Sequence, residues 1–109
     1  MKLVIAYVRP ESLTAVKQAL FSKNIYSMSV TNILGAGRQR GFTEMYRGVQ
    51  IEVNLLKKVR IELGVADEKV DAVIEAITLA ARTGKEGDGI IFVQDLGRAI
   101  RVRTGEEGL

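Results

Sequence analysis

The sequence predicts a single α+β domain, residues 1–109, built in the order βαββαβ. This is the ferredoxin-like arrangement, with two helices on one face of a four-stranded antiparallel sheet. A long loop joins strands 2 and 3, and a short extended segment closes the chain. Three observations predict it. The 109 residues are enough for one core and no more. The two halves repeat: Val4, Ala6 and Val8 lie over Ile61, Leu63 and Val65, and Leu13, Val16 and Leu20 lie over Val70, Val73 and Ile77. Between the halves runs GAGRQRGFTEMYRGVQIEVNLL, Gly35 to Leu56, which has no usable helix period. Connections in compact domains are usually about four to six residues, and much longer ones are functional or disordered.

Each element has its own signal. KLVIAYV, Lys2 to Val8, is apolar on both alternating faces, as in a central strand. Pro10 suits a first helical position, and Leu13, Val16 and Leu20 recur at helix spacing to about Asn24. A second strand is expected over Ser27 to Leu34, with Met28, Val30 and Asn32 opposite Ser29, Thr31 and Ile33. The third, Lys57 to Val65, puts Val59, Ile61, Leu63 and Val65 on one face and Lys58, Arg60 and Glu62 on the other. Asp67 fits the N-cap of a helix from Glu68 to Arg82, whose stripe is Val70, Val73, Ile74 and Ile77. A glycine-rich loop, residues 82–90, leads into a short strand, Ile90 to Val93. Within the last stretch, residues 99–109, the alternation of Ile100 and Val102 with Arg101 and Arg103 predicts an extended piece with both arginines on one face. In this fold Leu3, Ile5 and Tyr7 face away from the helices, and an apolar strip there calls for a partner, most simply another copy of the chain.

Composition removes whole classes of chemistry. There is no Cys and no His, so thiol nucleophiles, Ser–His pairs, imidazole acid–base work and the usual zinc ligands are absent together. A metal would be a hard cation held by oxygens, such as magnesium arriving with a nucleotide. Hydrophobic content of 47% and charged content of 27% fit a globular domain. No apolar run approaches the roughly twenty residues of a membrane span, and MKLVIAYVRPE is too soon charged for a signal peptide, so the expected location is cytoplasmic. The net charge of +3 favours an anionic partner only weakly.

The loop RTGKEGDGIIFV, Arg82 to Val93, brackets Asp88 with Gly84, Gly87 and Gly89. Glycines let backbone approach a phosphate closely, although a plain turn would use them as well. Arg101 and Arg103 add two guanidinium groups suited to phosphate oxygens, or equally a solvated edge strand. An exposed Tyr46 and Arg47 near the tip of the long loop would suit a protein interface, or a loop that orders only on binding.

Taken together, GAGRQRG with TEMYRG in the long loop, RTGKEGDGIIFV in the second loop and RVRTGEE near the end closely resemble the PII nitrogen-regulatory signal-transduction proteins, across essentially the whole chain. The resemblance implies a homotrimer with nucleotide sites in the clefts between subunits and no enzymatic role. It implies ATP or ADP as ligand, Mg2+ with ATP, and 2-oxoglutarate as effector. By the same resemblance Ser29, Gly35, Gly37, Arg38, Gly87, Asp88, Gly89, Arg101 and Arg103 bind nucleotide, with Arg38 reaching the phosphates across the subunit boundary. Gln39, Gly41 and Lys58 bind 2-oxoglutarate, and Gln39 is the magnesium ligand. Tyr46 and Arg47 would meet a target such as an ammonium transporter or a nitrogen-metabolism enzyme or regulator, so any membrane contact runs through a protein partner.

Departures from the family pattern sharpen this. Ile51 replaces the tyrosine that is uridylylated in many relatives, and Val49 replaces a serine phosphorylated in others, which implies switching by ligands. Lys57 replaces a common proline. Ile90 replaces a phosphate-contacting lysine, and Gly64 a larger apolar residue near the base, which implies an altered preference among ATP, ADP and AMP and a looser adenine pocket. A divergent member reading adenylate state or another small anion is therefore an alternative. So is an RNA-binding βαββαβ module, but only Tyr7 and Phe92 offer stacking rings, and no nucleic acid is expected. Hydrolysis with Asp88, Glu44 or Glu62 as base lacks paired carboxylates or a poised nucleophile.

Overall fold

A computed structural model describes residues 1–38 and 53–109. The elements are β1 (Lys2–Val8), α1 (Leu13–Phe21), β2 (Ser29–Arg38), β3 (Val53–Val65), α2 (Val70–Ala81) and β4 (Gly89–Asp95). The strands form one antiparallel sheet of order β2-β3-β1-β4, so the chain has the expected βαββαβ topology. Both helices pack on one face. The repeat seen in the sequence is the core itself: Val4, Ala6 and Val8 of β1 and Ile61, Leu63 and Val65 of β3 are buried against Val16 and Leu20 of α1 and Val73, Ala76 and Ile77 of α2. Each large aliphatic side chain buried there contributes about 1.5–3 kcal/mol.

The opposite face has no helix. β1 places Leu3, Ile5 and Tyr7 there, aligned with Gly64, Glu62 and Arg60 of β3 and with Gln94, Phe92 and Ile90 of β4. Tyr7 and Phe92 meet edge to face with ring centroids 5.8 Å apart. The apolar strip expected on this side is present, with Ile90 and Phe92 each about half exposed.

Several boundaries differ from the sequence reading, each for a local reason. The connection expected over residues 35–56 is shorter, because Gly35, Ala36, Gly37 and Arg38 pair with Leu56, Leu55, Asn54 and Val53 as a continuation of β2 and β3. Glycine and alanine carry too little side chain to show a strand period, while their backbone groups pair normally. β2 accordingly starts at Ser29 and runs past Leu34. β4 extends beyond Ile90–Val93 to Gly89 and Asp95 because β1 offers a partner at every step. Each helix opens with a turn of 3₁₀ helix, Pro10–Ser12 and Asp67–Lys69. α1 closes at Phe21, and the chain turns at Asn24, which has φ 60°.

Asp67 is not an N-cap. Ala66 holds the extended cap position without a side-chain bond, and the Asp67 carboxylate pairs at 2.8 Å with the N-terminal ammonium of Met1. The C-terminal segment is not a strand either. Residues 99–108 fold back on themselves: Arg101 N–H donates to Glu106 O at 2.9 Å, Gly108 N–H to Ala99 O at 2.8 Å, and Ile100 bridges Glu107. The reversal lies within the stretch whose alternation mimicked a strand, so Arg101 and Arg103 do not share a strand face.

The start of β4 is the tightest backbone contact. Gly89 has φ +122°, and a Cβ there would lie 1.9 Å from the carbonyl oxygen of Tyr7. Gly89→Ala is expected to destabilise the fold by about 2–4 kcal/mol. Urea titration checks this, and a change below about 0.5 kcal/mol would mean β4 does not lie this close to β1.

Candidate functional site

The register of β1 against β4 sets Val8 opposite Gly89, and this brings Arg9, the next residue, beside Asp88. Asp88 organises the glycine-rich loop. Its carboxylate accepts the Thr83 hydroxyl, the Thr83 N–H at 2.8 Å, the Gly84 N–H at 2.9 Å and the Arg9 guanidinium. Arg9 also donates to the Glu86 carbonyl at 2.6 Å and to the Thr83 hydroxyl at 3.2 Å. These contacts hold the Asp88 carboxyl well below the usual carboxylate range. The Thr83 hydroxyl contributes most, and partial burial opposes the shift. A carboxylate so fully engaged is a weak base, which counts against Asp88 as a hydrolytic residue.

Gly87 forms the tip. Its φ is +92°, and a Cβ there would lie 3.2 Å from Arg9 Nη2 and 3.6 Å from Lys58 Nζ, so the two cations close around its backbone. The Lys58 ammonium donates to the Gly87 carbonyl at 3.0 Å. Among the described residues it meets no carboxylate, which leaves two of its three N–H groups for an incoming anion. Arg9, Lys58, Glu86 and Gly87 line a hollow of about 280 Å³, whose far wall is Ala36, Gly37 and Leu56 at the inner end of the β2–β3 hairpin. A small dianion entering it would face Lys58 and Arg9 together, a charge arrangement that favours carboxylate or phosphate.

The structure thus collects Gly35, Gly37, Lys58, Gly87, Asp88 and Gly89 at one end of the sheet. Gln39, Gly41, Glu44, Tyr46, Arg47, Val49 and Ile51 lie outside the described residues, as does the side chain of Arg38. Arg101 and Arg103 are elsewhere. β4 carries the chain away from Gly89 to Asp95, and Leu96 N–H donates to Met1 O at 3.2 Å, so the arginine-bearing segment sits at the opposite end. Six strand steps separate the two ends by about 20 Å. Ser29, opposite Glu62, lies level with Ile5 at the middle of β1 and outside that cluster.

Ile90 is 50% exposed beside Tyr7 on the helix-free face, so β4 supplies no cation there. The space over Gly64 is not open, as a looser adenine pocket would require, since a Cβ there would lie 3.3 Å from Leu109 Cδ2 and 3.5 Å from Leu96 Cδ1. The edge-to-face Tyr7 and Phe92 rings, 77° apart, do not offer two parallel faces for bases, which weakens the RNA reading. Sequence reasoning missed Arg9 and Thr83. Their signal is the register of β1 against β4, which puts the residue after Val8 next to the residue before Gly89 and is seen only in the fold.

Because the Asp88 pKa is lowered in the fold, its bonds persist above the usual carboxylate pKa of about 3.9 and are lost only as pH falls through the lower folded value. In an acid titration followed by NMR, the Thr83 and Gly84 amide shifts should move well below that pH, and Asp88→Asn should abolish the transition. A midpoint near 3.9 would contradict this loop geometry.

Residues 1–106 match the family model described as nitrogen regulatory protein P-II. The chain is 49% identical over 106 residues to nitrogen regulatory protein GlnK of Escherichia coli (strain K12), covering 97% of this chain and 95% of that protein. It is 52% identical over 108 residues to nitrogen regulatory protein P-II of Rhodobacter capsulatus, covering 99% and 96%. To nitrogen regulatory protein P-II 2 of Methanothermobacter thermautotrophicus it is 47% identical over 108 residues, covering 99% and 94%. With identity of this order spanning both loops and the whole sheet, the chain belongs to the P-II family of nitrogen regulatory proteins.

Proposed function

We propose that this regulator binds adenine nucleotides, ATP or ADP, in clefts between copies of itself, responds to 2-oxoglutarate together with magnesium and ATP, and controls a nitrogen-metabolism target. As a P-II protein it is a signal transducer and not an enzyme. The observation that carries the reading is the separation of its anion-binding groups. Gly87 and Lys58 stand at one end of β4, and the segment that carries Arg101 and Arg103 leaves from the other end, about 20 Å along the strand. A second copy supplying its arginine-bearing end completes the site.

The surface supports such assembly. β2 and β4 are the two sheet edges, and both expose apolar side chains: Val30 and Leu34 on β2, Ile90, Phe92 and Val93 on β4. A groove of about 380 Å³ beside β4 is lined by Ile74, Ile77, Ala81 and Ile91. Joining two unlike edges is a head-to-tail contact, which closes into a ring when the rotation between copies allows it. A homotrimer is the ring expected of this family, with helices outward and the Leu3–Ile5–Tyr7 face inward.

Among the described residues no cluster of three or more acidic side chains could hold a metal by itself, so magnesium would enter with the nucleotide. Gln39 would be the chain's own ligand, and the ion would neutralise phosphate charge. The hollow between Lys58, Arg9 and Gly87 fits the carboxylates of 2-oxoglutarate. No helix among the described residues is long and apolar enough to cross a membrane; we place the protein in the cytoplasm and assign membrane contact to a partner such as an ammonium transporter, reached through Tyr46 and Arg47. Ile90 favours a second reading, a divergent member that senses ADP, AMP or another small anion, because it leaves β4 without a cation beside the loop.

Titration calorimetry tests these claims. ATP with magnesium should bind, and 2-oxoglutarate should bind only in its presence. Arg101→Ala/Arg103→Ala should stay folded and assembled while nucleotide affinity falls about a hundredfold, since each charge-assisted bond is worth about 1.5–3 kcal/mol. Lys58→Ala should lose 2-oxoglutarate and keep nucleotide. Unchanged affinity in the arginine variant would remove Arg101 and Arg103 from the site. Nucleotide binding without 2-oxoglutarate would select the divergent reading.

A further inference from the structure

We infer that Gly64 and Leu109 are a positioning pair: the leucine, seated over the glycine, fixes the C-terminal arm so that Arg101 and Arg103 are held out before any anion arrives. The inference rests on the nucleotide reading and adds residues that do not touch the ligand. Gly64 lies on the helix-free face, aligned with Leu3. Its missing side chain leaves a notch in β3, and the notch is filled from outside. Leu109 Cδ2 and Leu96 Cδ1 approach the missing Cβ position to 3.3 Å and 3.5 Å. The arm between these two leucines is therefore tied to the sheet at both ends, at Leu96 through its N–H to Met1 O and at Leu109 through packing.

Within the arm the bonding leaves the arginines free. Arg98 pairs with Glu107, so this carboxylate is already taken. Gly105 N–H donates to Arg101 O at 2.8 Å and Arg101 N–H to Glu106 O at 2.9 Å, fixing the backbone on both sides of Arg103. Both guanidinium groups are exposed, and among the described residues neither has a partner. Arginine is costly to order, and holding its backbone in advance removes part of that cost from binding. A β-branched residue at position 64 would occupy the space of Leu109 Cδ2 and lift the end of the arm. The strand itself would accept the change, because β-branched residues suit strands and the atoms in the way are side-chain ends.

The test uses the full chain with four changes: Gly64→Val, Leu109→Ala, the conservative Leu109→Met, and Gly64→Val combined with Leu109→Ala. Hydrogen exchange reports the arm through the Arg101, Gly105 and Gly108 amides, and calorimetry reports binding of ATP and of inorganic triphosphate. Gly64→Val and Leu109→Ala should each speed exchange in the arm, leave exchange in β1 and β3 unchanged, and weaken both ligands by the same factor of about three to ten. Leu109→Met should behave as the parent. The combined variant should weaken binding no further than either single change, as expected for one shared contact.

Unchanged arm exchange in both single variants would overturn the proposal. Faster exchange with unaltered affinity would overturn the positioning role, and a loss confined to ATP would make the pair a contact for the base instead. If the parent chain bound neither ligand, the nucleotide reading would fall while the exchange data still decided whether Leu109 anchors the arm.

Discussion

The Arg9–Asp88 ion pair is where the two βαβ halves of this chain are joined at their working end. Arg9 follows β1 in the first half, and Asp88 precedes β4 in the second. Neither strand nor helix packing dictates the shape of the loop between α2 and β4, in which Gly84 and Gly87 both take positive φ. Its shape comes from one carboxylate that gathers two backbone amides, a hydroxyl and a guanidinium. Once Asp88 is fixed, the Glu86 and Gly87 carbonyls turn toward Arg9 and Lys58, and these cations end up beside the hollow under the β2–β3 hairpin. The interaction thus spans local backbone, tertiary packing and the electrostatics of the site.

The same geometry supports the proposed assembly of copies. A sheet covered on one side leaves an apolar face, and two exposed edges of different composition leave a means of joining copies in one direction. The groups proposed to bind anions are distributed along the chain, some at the loop end and some on the C-terminal arm. On the proposed function, sensing would depend on contacts between copies, and a change in how one copy seats on the next would alter the ligand site too. Ile90, half exposed on the edge strand near the loop, adds apolar surface to that edge and leaves β4 without a cation there.

Much of this was legible in the sequence. Clean alternation in β3, helix-spaced aliphatics in α1 and α2, and the repeat between halves gave the topology, because buried side chains impose their period on the chain. What lacked side chains was illegible. Gly35 to Gly37 continue β2 through backbone pairing alone, and the notch over Gly64 is visible only once Leu109 is seen in it. Arg9 looked like an ordinary residue before a proline, since its role depends on a neighbour far along the chain. Arg101 and Arg103 were recognised as phosphate ligands by family resemblance, but strand-like alternation concealed a reversal held by backbone bonds. Asp67 was misread for a related reason: it has a cap's residue type, and the N-terminal ammonium competes for it.

The central claim is that one binding site draws on two copies of the chain. Mixing two defective variants tests it most directly: Arg101→Ala/Arg103→Ala, which lacks the arm's cations, and Asp88→Ala, which lacks the ordered loop. Each alone should bind ATP poorly. After denaturation and refolding together, mixed assemblies should regain tight sites wherever an intact loop end meets an intact arm, seen by native mass spectrometry as nucleotide bound only to mixed species. If the mixed species bind no better than the separate variants, the loop and the arm of a single chain serve the same ligand, and the account of a shared site is wrong.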